Sequence, residues 1–316
     1  MAGVDLLERR LVFVTGKGGT GKTTVAGGLA LLASQRGKRT LVCEVDAKGD
    51  LADFFESGPV TYDAREVQPG LFAMAMDTER SLDEYLRLVL RVPVMGRLGP
   101  VARMFDFVAT AAPGVKEILT VGKVAYEVRE RHYDIVVVDA SASGHIVGQL
   151  AAPEAINSLV QVGLIRSQTD WVLRILADPA RTGAAIVTTP EEMPVNETIE
   201  LTARIRNETS VDVAAIVVNR VLPELFGRAE EEVFERLRAA PRADVDAAVG
   251  GEIEPLLDAA RLAVTLRRSR TTHLERLRDA VGPDLPLLYV PYLFARTHGL
   301  RSTRVVADAL AAELGY

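Results

Sequence analysis

The nine residues at positions 16–24, GKGGTGKTT, have the side-chain types and the spacing that phosphate binding requires. Glycines leave backbone N–H groups free to point at phosphate oxygens, while Lys22 adds a point charge and the Thr23 hydroxyl can ligate Mg²⁺. A glycine-rich turn without a ligand is the alternative. Because the G-x-x-x-x-G-K-T spacing lies between an apolar run and an Ala/Leu-rich stretch, we interpret the segment as a Walker A loop. The predicted nucleotide-binding residues of this loop are Gly16, Gly18, Gly19, Thr20, Gly21, Lys22, Thr23 and Thr24.

Two carboxylates follow apolar runs and can complete such a site. Asp46 comes directly after the run 40–45, and Asp139 ends the run 134–139. In open parallel sheets ligand groups gather at the carboxyl ends of strands, so both acids can approach the phosphates. We interpret Asp139 as the Walker B residue that holds Mg²⁺ through water, with Thr23 as a direct ligand. Asp46 can orient water, although capping of the next helix is the alternative.

Alternating strand and helix patterns predict the elements that must position these residues. Apolar runs typical of buried strands recur at 11–14, 40–45, 71–77, 134–139, 184–189, 213–218 and 285–289. Helical patterns separate them, which favours an α/β fold with a doubly wound, mostly parallel sheet as a P-loop NTPase core. We expect one domain over residues 1–316. A helical insert subdomain is predicted from three longer inserts, at about 79–131, 153–181 and 223–281.

Local signals predict two helix boundaries and two helix breaks. Ser81 and Glu84 have the spacing of a capping box, so a helix is expected to begin there. Pro153 is expected to open the helical stretch 153–181. The charged stretch 223–281 is predicted to be helical, with breaks at Pro241 and at residues 250–251.

Composition limits the classes of partner. The net charge of −6 argues against general nucleic-acid binding, which depends on basic residues that neutralise phosphates. No uncharged apolar run reaches the roughly 18 residues of a membrane span, and the acidic N-terminus is no secretory signal. A cytoplasmic protein without stable membrane insertion is therefore expected. The single cysteine, Cys43, excludes a disulfide framework and, within one chain, a metal cluster built only from cysteine.

Lys17 gives the loop a second lysine directly after its first glycine. The sequence G-K-G-G-T-G-K-T resembles the deviant Walker A of the dimeric ATPases that include the MinD, ParA, nitrogenase iron-protein and arsenite-pump families. The resemblance implies that Lys17 reaches across a dimer interface to the partner's phosphates, and it puts Lys17 with Lys22 and Asp46 in the catalytic set. A solvated surface lysine is the alternative. The chain has 6 lysines against 31 arginines and two of the six lie in this loop, which favours a functional role.

The residues that follow Asp46 indicate which of these families the chain resembles. Residues 46–55 are similar to switch I, D-P-A-H-x-L-x-D-x-F, of the arsenite-pump (ArsA) and tail-anchored-protein-targeting ATPase family. Residues 47–49 depart from that pattern. By resemblance, Asp46 positions the attacking water. The residues that match are Asp46, Leu51, Asp53 and Phe55.

Three later segments resemble the same family. Residues 140–145 resemble its switch II, in which Gly144 can present a backbone N–H to the γ-phosphate. Asn219 stands where the family has an asparagine that contacts adenine, and an amide can read a base edge because it both donates and accepts. An asparagine in a strand-to-loop turn is the alternative. Pro291 matches the adenine-side loop, although Arg296 stands where that loop has glutamate.

The resemblance implies a Mg²⁺-ATP-dependent dimeric ATPase, either a homodimer or a heterodimer with a paralogue, whose nucleotide cycle gates partner binding. A chaperone- or targeting-type factor for an apolar membrane-protein client, or an anion-transport-ATPase-like factor, would fit. The alternative is a weakly catalytic, nucleotide-gated subunit of a paralogous complex, suggested by the altered residues 47–49. A metalloid-efflux energiser is less favoured because arsenite needs thiolates. ATP and Mg²⁺ are the expected cofactors; without a C-x-x-C pair, no zinc or iron–sulfur cluster is expected.

Two stretches of the sequence each allow two interpretations. The apolar stretch 94–108 lies where the family's targeting branch binds its client, but ordinary core and loop packing is the alternative. The arginine-dense stretch 261–278 is interpreted as a solvated helix face, with an anionic lipid or acidic-partner patch as the alternative.

Overall fold

An eight-stranded sheet forms the centre of the molecule. The computed structural model describes residues 6–46, 49–90, 114–159, 164–223, 227–294 and 299–316. Its strands are β1 (Leu11–Gly16), β2 (Thr40–Glu44), β3 (Arg65–Gln68), β4 (Leu71–Ala75), β5 (Ile135–Ala142), β6 (Thr182–Thr188), β7 (Val213–Val221) and β8 (Leu287–Pro291). They are ordered β3-β4-β2-β5-β1-β6-β7-β8. Neighbouring strands are parallel except for the antiparallel pair β3–β4.

Helices cover both faces of this sheet. A short 3₁₀ helix, Leu6–Glu8, precedes β1. The α-helices of the described residues are α1 (Lys22–Gln35), α2 (Asp50–Phe54), α3 (Thr78–Leu90), α4 (Val115–Arg129), α5 (Ser143–Leu159), α6 (Leu164–Leu176), α7 (Glu192–Glu208), α8 (Arg228–Ala239), α9 (Arg242–Val249), α10 (Glu254–Val281) and α11 (Leu300–Leu314).

The central strands are apolar on both faces, which is why helices pack on each side. Leu11 and Phe13 of β1 join a core with α4 to α7 and the end of α10. Val12 and Val14, pointing the opposite way, join a second core with α1, α2 and α11. Every residue of β1 is buried. The predicted doubly wound α/β fold with a mostly parallel sheet is confirmed.

The breaks predicted in the stretch 223–281 are present. Pro241 lies between α8 and α9, and Gly250 ends α9 with a φ of 76°, a conformation that glycine adopts without strain. The four buried side chains that hold α8, α9 and the start of α10 together are Phe234, Val245, Ile253 and Leu257. A separate helical subdomain remains a prediction.

Both predicted helix starts were wrong. Asp77 caps α3: its Oδ1 accepts the N–H of Arg80 at 2.9 Å. Ser81 therefore lies inside the first turn and donates back to the Asp77 carbonyl. Pro153 lies within α5, which already begins at Ser143.

Three further details differ from the sequence prediction. The short antiparallel strand β3 and the five-residue helix α2 were not predicted, because each is too short to show a clear periodicity. β5 continues to Ala142, so Asp139 lies inside the strand instead of ending it.

No helix in the described part of the chain combines the length and hydropathy needed to cross a bilayer.

Candidate nucleotide-binding site

Steric constraints require glycine at two positions of the turn between β1 and α1. Gly16 has a φ of 142°, and a Cβ there would lie 2.1 Å from the carbonyl oxygen of Val187 on the neighbouring strand β6. Gly21 has a φ of 92°, and its Cβ would lie 2.3 Å from Asn219 Nδ2. Gly18 and Gly19 have open space around them. The turn therefore combines a rigid base with an uncrowded, glycine-lined tip, as a phosphate cradle requires.

Asn219 connects β7 to the phosphate-binding loop. Its Nδ2 donates to the Thr20 carbonyl at 2.8 Å, and its Oδ1 accepts the N–H of Arg220 at 2.9 Å. Thr20 in turn donates through Oγ1 to the Lys17 carbonyl at 2.9 Å. Arg220 has a φ of 59°, uncommon for a residue with a side chain. The structure thus brings Asn219 to the loop, where its amide holds backbone groups on both sides.

Thr23 and Asp139 meet at the start of α1. The Thr23 Oγ1 donates to Asp139 Oδ2 at 2.7 Å. Asp139 is buried, and among the described residues its Oδ1 has no hydrogen-bond partner. A buried carboxylate oxygen without a donor is costly, so an atom left in this state is suited to a cation or its bound water. These two side chains therefore fit Mg²⁺, which prefers oxygen ligands.

Burial and its neighbours set the pKa of Asp139. Burial raises this pKa from 3.8 to about 6; the hydrogen bond from Thr23 and the charge of Lys22 lower it, while Glu44 and Asp46 raise it. The two nearby carboxylates make the site strongly acidic. A divalent cation would relieve that repulsion.

Glu44 is a site residue that the sequence analysis missed. It ends β2, is 2% exposed, and pairs in register with Asp139 on β5. Its carboxylate accepts the backbone N–H groups of Gly49 and Asp50, each at 3.2 Å. A charged residue within the otherwise apolar run 40–45 was the available signal. A buried glutamate is rare unless it is paired or hydrogen-bonded.

Asp46 lies two residues beyond β2, where it is exposed. It is near enough to Asp139 to raise that residue's pKa, so the structure brings the two predicted acids to the same edge of the sheet. The neighbouring residues 47–48 lie outside the described part of the chain.

Lys17 is paired within its own chain. Its ammonium group contacts the carboxylate of Glu197 on α7 in a close ion pair. Ser143, the first residue of α5, donates to the other oxygen of Glu197 at 3.4 Å. Gly144 is exposed in the first turn of α5, where helical N–H groups have no intrahelical partner. Glu197 therefore links the phosphate-binding loop to the segment after β5, and the sequence analysis gave it no role at the site.

Pro291 lies at the edge of the sheet. It ends the edge strand β8 and pairs with Val221 of β7, whose carbonyl accepts the N–H of Tyr292 at 2.8 Å. The structure places Pro291 beside the strand that carries Asn219, two residues along. Its predicted contact with adenine remains a prediction.

Comparison with known proteins relates this site to characterised sequences. The family profile described as anion-transporting ATPase matches residues 9–169 and 165–245. ATPase BagA of Mycobacterium tuberculosis is 31% identical over 225 residues, which are 68% of this chain and 66% of that relative. The chain thus spans just under two thirds of the length of this mycobacterial relative.

Two other relatives carry different names. A protein described as an arsenical pump-driving ATPase from Halobacterium salinarum is 28% identical, over 89% of this chain and 45% of that protein. ATPase GET3 of Podospora anserina is 30% identical, over 54% of this chain and 51% of that protein. The matched segments include the phosphate-binding loop and β5. The predicted family is therefore confirmed: the chain belongs to the anion-transporting ATPase family.

Proposed function

We propose that the protein is a Mg²⁺-dependent ATPase that acts as a dimer and whose nucleotide cycle gates the binding of a partner. The observation that carries this proposal is the pairing of Thr23 with Asp139 at the end of a glycine-lined turn, with one buried oxygen of Asp139 lacking a partner among the described residues. That arrangement matches the demands of a nucleotide phosphate and its divalent cation.

The loop backbone and five residues have proposed tasks in the reaction. The backbone of the loop and Lys22 bind the phosphates, and Thr23 and Asp139 hold Mg²⁺. When bound, Mg²⁺ supplies positive charge against the phosphate oxygens. Asp46 orients the attacking water, and the N–H of Gly144 binds the terminal phosphate. Because phosphoryl transfer needs little covalent help, positioning and charge make up the protein's contribution.

Dimerisation is supported by the second lysine of the loop. Lys17 is already placed beside the phosphate-binding turn, where Glu197 neutralises it within the chain. An approaching subunit with bound ATP would offer a more negative partner than one carboxylate. We propose that Lys17 then leaves Glu197 for the phosphates of the second subunit, which makes association depend on ATP.

The proposed partner is an apolar membrane-protein client. The GET3 relative supports a targeting role, but the stretch 94–108 that would bind the client lies outside the described residues. Metalloid efflux is not favoured for this chain, although relatives bear that name. Burial raises the pKa of Cys43 to about 12, so its thiol does not ionise near neutral pH and is a poor arsenite ligand. A cytoplasmic location and a dimer without zinc complete the proposal.

Equilibrium binding of a labelled ATP analogue, with and without Mg²⁺, tests the site. Lys22→Ala removes the charge that faces the phosphates and should abolish detectable binding. Lys116→Ala, an exposed lysine on α4, is the matched control and should bind like the unmodified protein. Unchanged affinity in Lys22→Ala would overturn the assignment of the loop.

A further inference from the structure

Glu44 is a buried carboxylate to which the proposed reaction assigns no task. In-register residues on neighbouring parallel strands point to the same face, so Glu44 and Asp139 share one side of the sheet. Two residues earlier on each strand, Val42 and Val137 belong to the core that packs against α1. Glu44 therefore faces the same side as the helix that follows the phosphate-binding loop. A carboxylate at 2% exposure requires hydrogen bonds to remain there.

Two hydrogen bonds of Glu44 go to the backbone that follows Asp46. Its Oε2 accepts the N–H of Gly49 and its Oε1 accepts the N–H of Asp50. Gly49 is the N-cap of α2 and has no side chain with which to satisfy these donors. The chain thus leaves the sheet at Glu44 and is tied back to the same residue five positions later. Asp46 lies inside the loop that this tie closes.

We propose that Glu44 is the positioning residue of this loop and determines where Asp46 is held relative to Asp139. The tie is anchored on a strand buried in the sheet, which gives the loop a rigid reference point. A catalytic group that is already oriented lowers the activation barrier, because the free-energy cost of orienting it is met before the reaction begins. The inference rests on the proposed role of Asp46.

Glu44→Gln is the informative substitution, since an amide keeps one acceptor oxygen but turns an NH₂ group toward a backbone N–H. Misplacement of Asp46 should lower kcat by about 10- to 100-fold, with the KM for ATP within about twofold. Amide hydrogen exchange at Gly49 and Asp50 should become faster. Glu66→Gln is the matched control, because Glu66 similarly accepts the N–H of Gly70 at 2.8 Å but lies on the edge strand β3. This control should change neither kcat nor the rate of amide exchange at Gly49 and Asp50.

A double-mutant comparison separates positioning from a general loss of structure. If Glu44 acts through Asp46, Glu44→Gln should have less than about a twofold effect on single-turnover hydrolysis in an Asp46→Asn background. If the effects of the two substitutions multiply, or if amide hydrogen exchange at Gly49 and Asp50 is unchanged, the inference is overturned. Should Glu44→Gln unfold, Glu44→Asp keeps the charge with a shorter reach, and the same outcomes apply. Full activity in Asp46→Asn would instead refute the proposed role of Asp46, while the exchange measurement still tests the tie.

Discussion

At the residue scale, Asp139 serves two opposing requirements. Burial disfavours its charged form and raises its pKa to about 6, yet binding of Mg²⁺ needs the carboxylate. Without a cation the folded protein therefore holds a charge that the unfolded chain would expose to water. The proposed role in Mg²⁺ binding thus comes at the expense of stability, which is common where ionisable groups gather at a site.

Asp139→Asn should consequently stabilise the nucleotide-free protein at neutral pH. Since the pKa is raised on folding, the destabilisation by Asp139 is absent below 3.8, grows as the pH rises, and is complete above about 6. At pH 8 the substitution should raise the free energy of unfolding by about 1–3 kcal/mol, less at pH 5. Urea unfolding at both values measures this. Asp308→Asn, an exposed aspartate on α11, is the control. A gain that is equal at both pH values would contradict the prediction.

At the element scale, the last helix braces the helix of the phosphate-binding loop. α1 and α11 pack side by side in the core that lies on one face of the sheet. Gly28 of α1 permits their close approach: a Cβ there would lie 2.5 Å from Cγ1 of Val306 and 3.0 Å from its Cβ. The position of the loop thus depends on a segment nearly 280 residues later in the chain.

Gly28→Ala should therefore destabilise the protein although alanine favours helices. Overpacking against Val306 should lower the free energy of unfolding by about 1–3 kcal/mol. Gly122→Ala is the matched control in α4, where a new Cβ meets nothing within 4 Å. It should raise stability by about 0.5–1 kcal/mol through helix propensity alone. Denaturant unfolding distinguishes the two signs, and a neutral or stabilising Gly28→Ala would show that the helices can separate without cost.

At the scale of the whole molecule, Glu197 competes with a second subunit for Lys17. The ion pair is partly exposed, with side-chain exposures of 28% and 33%, so its free energy is modest. Loss of Lys17 to another chain would also leave Glu197 with its weaker contact to Ser143. The pair is thus placed to bias the proposed monomer–dimer equilibrium.

Glu197→Gln should strengthen ATP-dependent association by about two- to tenfold, because Lys17 is no longer held by a charge in its own chain. Lys17→Ala should prevent that association. Glu208→Gln is the control, since Glu208 pairs with Arg204 on the same helix away from the loop. Sedimentation equilibrium with a non-hydrolysed ATP analogue measures the dissociation constants. Weaker association in Glu197→Gln would mean that Glu197 supports the dimer instead of competing with it.

Local spacing was enough to predict the turn at residues 16–24 and the type of fold. Lys22 and Thr23 follow the glycines directly, so the motif is recognisable in the sequence, although the contacts that require glycine at positions 16 and 21 come from β6 and β7. The apolar runs of the strands likewise specified a buried parallel sheet, because their burial on both faces leaves no polar alternation. Short elements and helix starts were not predicted correctly. The start of α3, for example, depends on one hydrogen bond, from the N–H of Arg80 to Asp77.

Which distant residues share the site depends on tertiary packing. The strand order puts β5 and β6 beside β1, and no local pattern encodes that order. Three residues approach this region from separate elements. Glu44 lies on β2, Glu197 on α7 and Asn219 on β7. Glu44 and Glu197 lie in sequence neighbourhoods that resemble an ordinary strand end and helix surface, since a side chain's partner depends on where separate elements pack. Asn219 was predicted only through the family resemblance, and its contact with Thr20 was not. Local sequence therefore predicts the composition of the phosphate-binding loop, whereas packing brings Glu197 and Asn219 to that loop and Glu44 to the backbone of residues 49 and 50.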